Sequence, residues 1–312
     1  MPRVSIITPA HNAAAHLAET LDSVLAQRYG DYEVIVADDA SSDATAELAE
    51  GYGAPVRCVR SATNLGPAGA RNLALGHASG ELVALLDADD LWLPEYLSEQ
   101  VALYDREQRR RPGVGIVGCD AYELGDGGRR AGTWSERVGA SSRPTLTRML
   151  HSNEIFVSAL APRELVQRLG GFSTECWGSE DHDLWLRILE SGHRAVVNPR
   201  PLAVYRVAEG SVSANVLGMA RTSQRTFERA LERGNLTPVQ RLVARRSARV
   251  QVAVEHWERI AAQRARDGRL PLGDVGRAAA VMARVVLEHP NRWPRWARIL
   301  LALRRGEGLP AR

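Results

Sequence analysis

The sequence has no lysine: its formal net charge of +3 rests on 40 arginines against 37 aspartates and glutamates. Such avoidance reflects GC-rich coding rather than a binding device, and a bacterial source is expected. The arginines thicken after Arg221, so the mild basicity belongs to the C-terminal part, and no nucleic-acid partner is expected. Cysteine is scarce too. Cys58, Cys119 and Cys176 are odd in number and widely spaced, which matches neither a disulfide framework nor a zinc motif and suggests a reducing cytoplasm. Long apolar runs are missing: Met1-Pro2-Arg3 leads straight into Val4-Ser5-Ile6-Ile7-Thr8 without a signal-peptide core, and no run is long enough to cross a bilayer. The expectation is a cytoplasmic protein, soluble or peripheral on the inner face of the cell membrane. Glycine is absent from Pro9-Ala10-His11-Asn12, after the first apolar run, and no Gly-x-x-x-x-Gly-Lys occurs, which excludes P-loop chemistry.

What is present is 312 residues with 45% hydrophobic content, enough for one large domain and a smaller appendage. Short apolar, β-rich runs at Val4 to Thr8, Glu33 to Ala37, Val56 to Arg60, Leu82 to Leu86 and Val114 to Cys119 alternate with helical patterns. Leu17, Leu21, Val24 and Leu25 recur at helical spacing, and Gly66-Pro67 opens a helix through Ala70 to Ala78. This alternation predicts an α/β fold, a Rossmann-like open and mostly parallel sheet flanked by helices. After Gly125 a Gly/Arg/Ser-rich stretch to Arg143 reads as a loop. A strand over Ile155 to Leu160, a helix over Asp181 to Ser191 and a turn-rich segment over Asn198 to Ser213 follow. From about Val216 the chain turns into Arg/Ala/Leu/Val helices with breaks near Asn235 to Pro238, Gly268 to Gly273 and His289-Pro290.

Acidic clusters punctuate this pattern at Asp38-Asp39, Asp43, Asp87-Ala88-Asp89-Asp90 and Glu180-Asp181-His182-Asp183. In open α/β sheets ligands bind beyond the carboxyl ends of the strands, where Pro9 to Asn12, Asp38-Asp39 and Asp87 to Asp90 fall. A buried strand ending in closely spaced carboxylates can hold a divalent cation and the anion it neutralises. The competing reading makes Asp89 or Asp90 the cap of a helix begun near Pro94, lets Asp38 and Asp39 open a turn, and makes Asp181 the cap of the helix carrying Leu184, Trp185, Ile188 and Leu189. For Asp43 the cap is the preferred reading.

Taken in order, Val4 to Asn12, Val34 to Asp43, Asn64-Leu65-Gly66-Pro67-Ala68-Gly69-Ala70-Arg71-Asn72, Leu85 to Asp90, Gly170-Gly171-Phe172 and Gly178 to Arg187 resemble the family 2 glycosyltransferases. The resemblance implies a GT-A fold and a non-processive, inverting transfer of one sugar from a nucleotide-diphosphate sugar, with UDP expected, to a hydroxyl acceptor. That acceptor would be a glycan, a lipid-linked precursor or a small molecule, most naturally in surface polysaccharide or glycoconjugate synthesis. It implies a catalytic domain over 1–215, with a donor half to about 120 and an acceptor half beyond, and a helical region over 216–312. It further implies that Asp89 holds Mn²⁺ or Mg²⁺, and that Asp87 and Ala88 face the nucleotide. Pro9, His11, Asn12, Asp39 and Arg71 would complete the nucleotide contacts, Asp39 accepting from a uracil imide. Asp181 would be the catalytic base, with Glu180, Asp183 and Trp177 contacting the acceptor.

The chain departs from the family's pattern at Ala208, where a histidine is usual after Tyr205-Arg206, and at Ser173, which follows Gly171-Phe172 in place of an acid. His289 to Trp293 comes too late to be the processive motif. A non-catalytic nucleotide-sugar-binding scaffold is the alternative; it would lack a carboxylate at the metal or base position, and both are present. A sugar-nucleotide nucleotidyltransferase would need a glycine-rich loop after the first strand. The last helix, Trp293 to Arg305, sets an apolar face against arginines, which suits either peripheral membrane contact or packing on protein, including a homodimer.

Overall fold

The computed structural model describes residues 1–125, 130–206 and 215–267. The chain divides into two compact units, Met1–Ser211 and Val212–Arg312.

In the first unit β1 (Val4–Ala10), α1 (Ala14–Leu25), β2 (Tyr32–Asp38), α2 (Thr45–Gly51), β3 (Val56–Arg60), α3 (Gly66–His77) and β4 (Leu82–Leu85) alternate. The strands pair in parallel in the order β3-β2-β1-β4. Their apolar residues are almost wholly buried, as two helix-covered faces require. Leu17, Leu21 and Val24 give α1 the stripe that docks on them. The sheet continues through β5 (Leu91–Trp92), β6 (Val114–Leu124), β7 (Arg130–Thr133), β8 (Leu160–Pro162) and β9 (Arg194–Arg206). Its full order among the described residues is β3-β2-β1-β4-β8-β6-β9-β5, with β7 on β6. Here β8 runs antiparallel to β4 and β6, β5 antiparallel to β9 and β7 antiparallel to β6, so the sheet is mixed where the pattern suggested mostly parallel pairing. The helices of this half are α4 (Tyr96–Arg110), α5 (Trp134–Val138), α6 (Leu146–Met149), α7 (Arg163–Arg168) and α8 (Glu180–Glu190).

Three expectations need correction. The stretch after Gly125 is not all loop: it contains β7 and α5, the latter started by a reciprocal capping box between Thr133 and Glu136 and stopped by left-handed Gly139. The turn-rich segment from Asn198 is largely the second half of β9. Cys119 pairs with Asn198 and Asp120 with Pro201, so Pro199 and Arg200 are absorbed as a bulge, where proline's missing N–H does no harm. The strand over Ile155 to Leu160 shrinks to β8, while Ile155 and Phe156 are simply buried. Of the loop, residues 126–129 lie outside the described residues, as does Ala208.

The second unit contains α9 (Val216–Glu232) and α10 (Pro238–Asp267). Asn215 caps α9 through Gly218 N at 2.9 Å, and Thr237 and Gln240 cap each other's backbone ahead of α10. The expected break at Asn235 to Pro238 falls between these helices. The breaks at Gly268 and His289 and the Trp293 to Arg305 helix lie outside the described residues.

Glu33 locks the base of the parallel part of the sheet. Its Oε1 accepts from Ser5 Oγ at 2.6 Å, Ser79 N at 2.8 Å and Ser79 Oγ at 2.7 Å, tying β1 and β2 to the turn before β4. Burial pushes its pKa up, but these hydrogen bonds and Arg57 outweigh that and hold it low. A lowered folded-state pKa gives stability that is present above the unfolded pKa and lost as pH falls through the folded one. Glu33→Ala should therefore cost about 2 kcal/mol near pH 7 in urea unfolding at unchanged m, and less in acid. A neutral effect at pH 7 would show that the network does not tie these elements together.

Candidate active site

The site is assembled where four parallel strands end. Pro9, near the end of β1, is partly exposed, and His11 and Asn12 beyond it are exposed. Asn12 (φ 50°) and Ala40 (φ 56°) both take the left-handed region, tolerable for asparagine and costly for alanine. The two turns are stitched together, since Asn12 N donates to Ser41 Oγ at 2.9 Å and Ser42 N to Asn12 Oδ1 at 2.8 Å. Asp39, one residue past β2, is 3% exposed. Its N–H donates to the Ala10 carbonyl (2.8 Å), its carbonyl accepts from His11 Nδ1 (2.7 Å), and its Oδ1 accepts from Leu65 N (2.7 Å). Asp39 thus gathers the ends of β1 and β2 and the head of α3 into one rim. Asp43 accepts from Ala14 N and Thr45 N at 3.1 Å each, joining the first turns of α1 and α2, and the Thr45 hydroxyl bond leads in lowering its pKa.

Asp87 to Asp90 follow β4. Asp87 and Asp89 are partly exposed and Asp90 is fully buried. β5 separates them from α4, whose N-cap is Glu95 with no side-chain cap, so Asp89 and Asp90 do not cap that helix. The run is held from outside. Thr20 Oγ1 donates to the Ala88 carbonyl (2.9 Å), Arg206 Nε to the Asp89 carbonyl (2.9 Å), and Arg206 N to Asp90 Oδ1 (3.1 Å). Burial and the neighbouring Asp87 charge raise the pKa of Asp89; burial, Asp87 and Asp89 raise that of Asp90 further. These are carboxylates short of positive charge. Among the described residues no three His, Cys, Asp or Glu side chains are placed to share a metal ion. A cation at Asp87 and Asp89 would therefore complete its shell with diphosphate oxygens and water, a habit of Mg²⁺, and the carboxylate pair fits that role.

Arg71, on α3, links the acids after β4 to those at the head of α8. It is 4% exposed, and its guanidinium pairs with Asp87 Oδ1 at 2.5 Å and with Glu180 Oε1. Glu180 opens α8 and is buried; its Oε2 accepts from Gly178 N at 2.7 Å. Of Glu180, Asp181, His182 and Asp183, only Asp181 keeps some exposure. Asn153 Nδ2 donates to Asp181 Oδ2 at 3.2 Å. Burial raises the pKa of Asp181, with Arg71 pulling it partly back; burial also raises that of Glu180, which Arg71 opposes and Asp181 adds to. The N-cap of α8 is Ser179, without a side-chain cap bond, so Asp181 is not the cap. Asp183 is fully buried, and its Oδ2 accepts from Arg187 Nε at 2.8 Å, while Arg187 also donates to the Leu169 and Gly171 carbonyls. The structure thus gives Asp183 a place inside the fold and does not bring it to the open side with Asp181. Trp177 is 54% exposed, its ring close over Gly66 at the start of α3. Ser173 starts the short turn Thr174–Cys176 through Glu175 N.

Sequence reasoning did not find Asn153, the role of Arg206, or the reciprocal pair in which Asn72 and Phe172 exchange two 2.8 Å hydrogen bonds beside Arg71. The clearest available signal was Gly171, whose φ of +68° and close approach to Asn72 Oδ1 leave no room for a side chain.

A family description, glycosyl transferase family 2, matches residues 5–170. The chain is 34% identical over 215 residues to the putative glycosyltransferase EpsE of Bacillus subtilis, covering 67% of this chain and 74% of that one. It is 30% identical over 215 residues to the UDP-Glc:alpha-D-GlcNAc-diphosphoundecaprenol beta-1,3-glucosyltransferase WfgD of Escherichia coli, covering 68% and 80%. Among solved structures, the mannosyltransferase PcManGT of Pyrobaculum calidifontis in complex with GDP-Man and Mn²⁺ is similar, with 26% identity, a TM-score of 0.64, and 92% of this chain and 80% of that one covered. S. aureus TarS 1-349 in complex with UDP-GlcNAc aligns with a TM-score of 0.62 at 20% identity over 81% of this chain and 72% of that one, a likeness of fold.

The buried acids carry a stability cost that can be measured. With the pKa of Asp90 raised, the folded chain holds a proton that the unfolded chain releases, so stability falls as pH rises from the unfolded toward the folded pKa. Asp90→Asn keeps the acceptor for Arg206 N and removes the charge. Without nucleotide or divalent ion its Tm at pH 7 should rise, by about 2–4 °C for each kcal/mol relieved. The gain should vanish below about pH 4, where the ordinary aspartate is protonated in both states. A lower Tm than wild type at both pH values would contradict this.

Proposed function

Since the chain belongs to the family 2 glycosyltransferases and has their GT-A fold, we propose that it transfers a single sugar from a UDP-sugar to a hydroxyl acceptor with inversion at the anomeric carbon. The observation that carries this reading is Asp181: a partly exposed carboxylate of raised pKa, held by Asn153, at the head of a helix whose neighbour Glu180 is linked through Arg71 to Asp87 after β4. A base on one side and a leaving-group site on the other is the arrangement a single displacement needs. Asp181 takes the proton of the acceptor hydroxyl as that oxygen bonds to the anomeric carbon. The bond from that carbon to the diphosphate breaks, and its electron pair leaves with the nucleotide. Trp177 and Glu180 contact the acceptor sugar, and buried Asp183 supports the helix instead.

Asp39 is the reason for choosing UDP. Leu65 N fixes one of its oxygens, which orients the carboxylate to accept from a pyrimidine imide N–H. Pro9, His11, Asn12 and Arg71 complete the nucleotide side, with Asp87 at the ribose. A Mn²⁺ or Mg²⁺ ion held by Asp89, with Asp87 beside it, would supply Lewis-acid neutralisation of the leaving diphosphate. The PcManGT complex contains Mn²⁺, which supports the same use of a cation here. The acceptor proposed is a lipid-linked precursor of a surface polysaccharide, by analogy with the substrate in the name of WfgD. No helix of the described residues is long and apolar enough to cross a membrane, and the lipid-linked acceptor would be met at a membrane surface.

Asp181→Asn keeps size and fold. Donor binding and Tm should survive while transfer falls by about 10² to 10⁴, the usual worth of a positioned base. Because the pKa of Asp181 is raised, the wild-type rate should fall with acid at a pH above the ordinary aspartate range. Proton NMR of the first product should show the anomeric configuration opposite to the donor's; retention, or a near wild-type rate for Asp181→Asn, removes Asp181 from the role. Asp89→Asn should likewise lower turnover by orders of magnitude while leaving the fold intact by circular dichroism, and an unaffected rate would sink the metal assignment.

A further inference from the structure

Resting on that reading, we propose that Arg71 is a positioning residue that couples the two substrates, so that nucleoside diphosphate and hydroxyl acceptor bind with positive cooperativity. A single guanidinium, 4% exposed, serves two carboxylates from opposite sides of the site: Asp87 after β4 and Glu180 at the head of α8. The arginine has little freedom to serve anything else. The Phe172 ring lies 5.9 Å from Cζ, and the adjacent Asn72 clamps Phe172 to α3 through both its backbone groups. Its Nε is buried and has no acceptor among the described residues, so the two ion pairs are the bonds that hold the guanidinium.

Charge then decides the coupling. One positive charge faces Asp87 and Glu180, with Asp181 and Asp89 close behind, so the empty site is negative where a diphosphate must enter. Glu180 makes this worse for the donor by holding Arg71. Both Glu180 oxygens are already engaged, Oε1 by Arg71 and Oε2 by Gly178 N. An acceptor hydroxyl that donates to Glu180 draws on the same negative charge as these partners and so loosens its grip on Arg71. The freed positive potential strengthens attraction for the diphosphate, and by linkage the diphosphate strengthens acceptor binding to the same extent. Glu180→Gln imitates the acceptor by removing the competing charge without touching the nucleotide.

The test is a double-mutant cycle read by isothermal titration of UDP in the presence of Mn²⁺, with GDP as a second probe, on the full chain. Glu180→Gln should tighten nucleotide binding by about fivefold or more, the lower end of allosteric coupling. In the Arg71→Met background, where buried Glu180 has lost its cation and holds a proton instead, the same change should alter affinity by less than about twofold. Equal factors in the two backgrounds, or an unchanged or weaker affinity of Glu180→Gln, would overturn the proposal. Should Arg71→Met fail to fold, Arg71→Lys decides: its ammonium serves one carboxylate at a time, and the factor should fall below that in the Arg71 background. A wild-type chain that binds neither nucleotide overturns the functional reading together with this one; binding without coupling overturns this one alone.

Discussion

The ion pairs of Arg71 are the constraint on which the rest of the site depends. Asp87 lies just past β4, in the parallel part of the sheet, and Glu180 at the head of α8, which follows the antiparallel part in sequence. Burying Glu180 beside partly exposed Asp87 without a cation would cost several kcal/mol. With the guanidinium between them, the strand end and the helix can be brought together and Asp181 can stand open beside them. The same pairing explains why Arg71 is buried although it lies on the exposed-looking, glycine-rich start of α3, and why Asn72 and Phe172 are clamped next to it.

Around that centre the fold tolerates acids that it would otherwise exclude. Asp89, Asp90, Glu180 and Asp181 all have raised pKa values, with burial as the leading cause in each. Thr20 and Arg206 brace the Ala88 and Asp89 carbonyls, and neutral donors, Arg206 N and Asn153 Nδ2, reach the Asp90 and Asp181 carboxylates, which leaves those carboxylates short of positive charge. A concentration of unneutralised negative charge at the ends of parallel strands is poor for stability and suited to a cation with a diphosphate. It also suits a base that must hold a proton briefly. The contrast with Asp43 and Asp183 is instructive: both are acids of the same motifs, yet hydrogen bonds or an arginine satisfy them, and they serve the fold.

Much of this was legible in the sequence because the relevant signals are local. The apolar runs ending in Asp38-Asp39 and Asp87 to Asp90 marked both the strands and the place where a ligand would lie, and Glu180-Asp181 marked the start of a helix. What was not legible depends on pairing across the sheet. Prolines at 199 and 201 read as turns, and only the partner strand β6 shows that Pro199 and Arg200 form a bulge in β9 while Pro201 stays in register with Asp120. The capping box at Thr133 and Glu136 was readable in principle but was masked by the surrounding glycine and arginine. Nothing local distinguishes Asp183 from Asp181: one turns inward to Arg187 and the other does not, and only the packed helix separates them. Arg71 was recognised as part of a motif, while its two partners, 16 and 109 residues away, could be identified only in three dimensions.

The central claim is that the strand ends bind a nucleoside diphosphate through a divalent cation. It is tested most directly by a thermal-shift panel of UDP, GDP, ADP and CDP, each with and without Mn²⁺. The account predicts that UDP with Mn²⁺ raises Tm most, corresponding to about 2.7 kcal/mol at a hundred times the dissociation constant, and that either component alone does much less. Equal shifts for all four nucleotides, or a UDP shift indifferent to Mn²⁺, would contradict it.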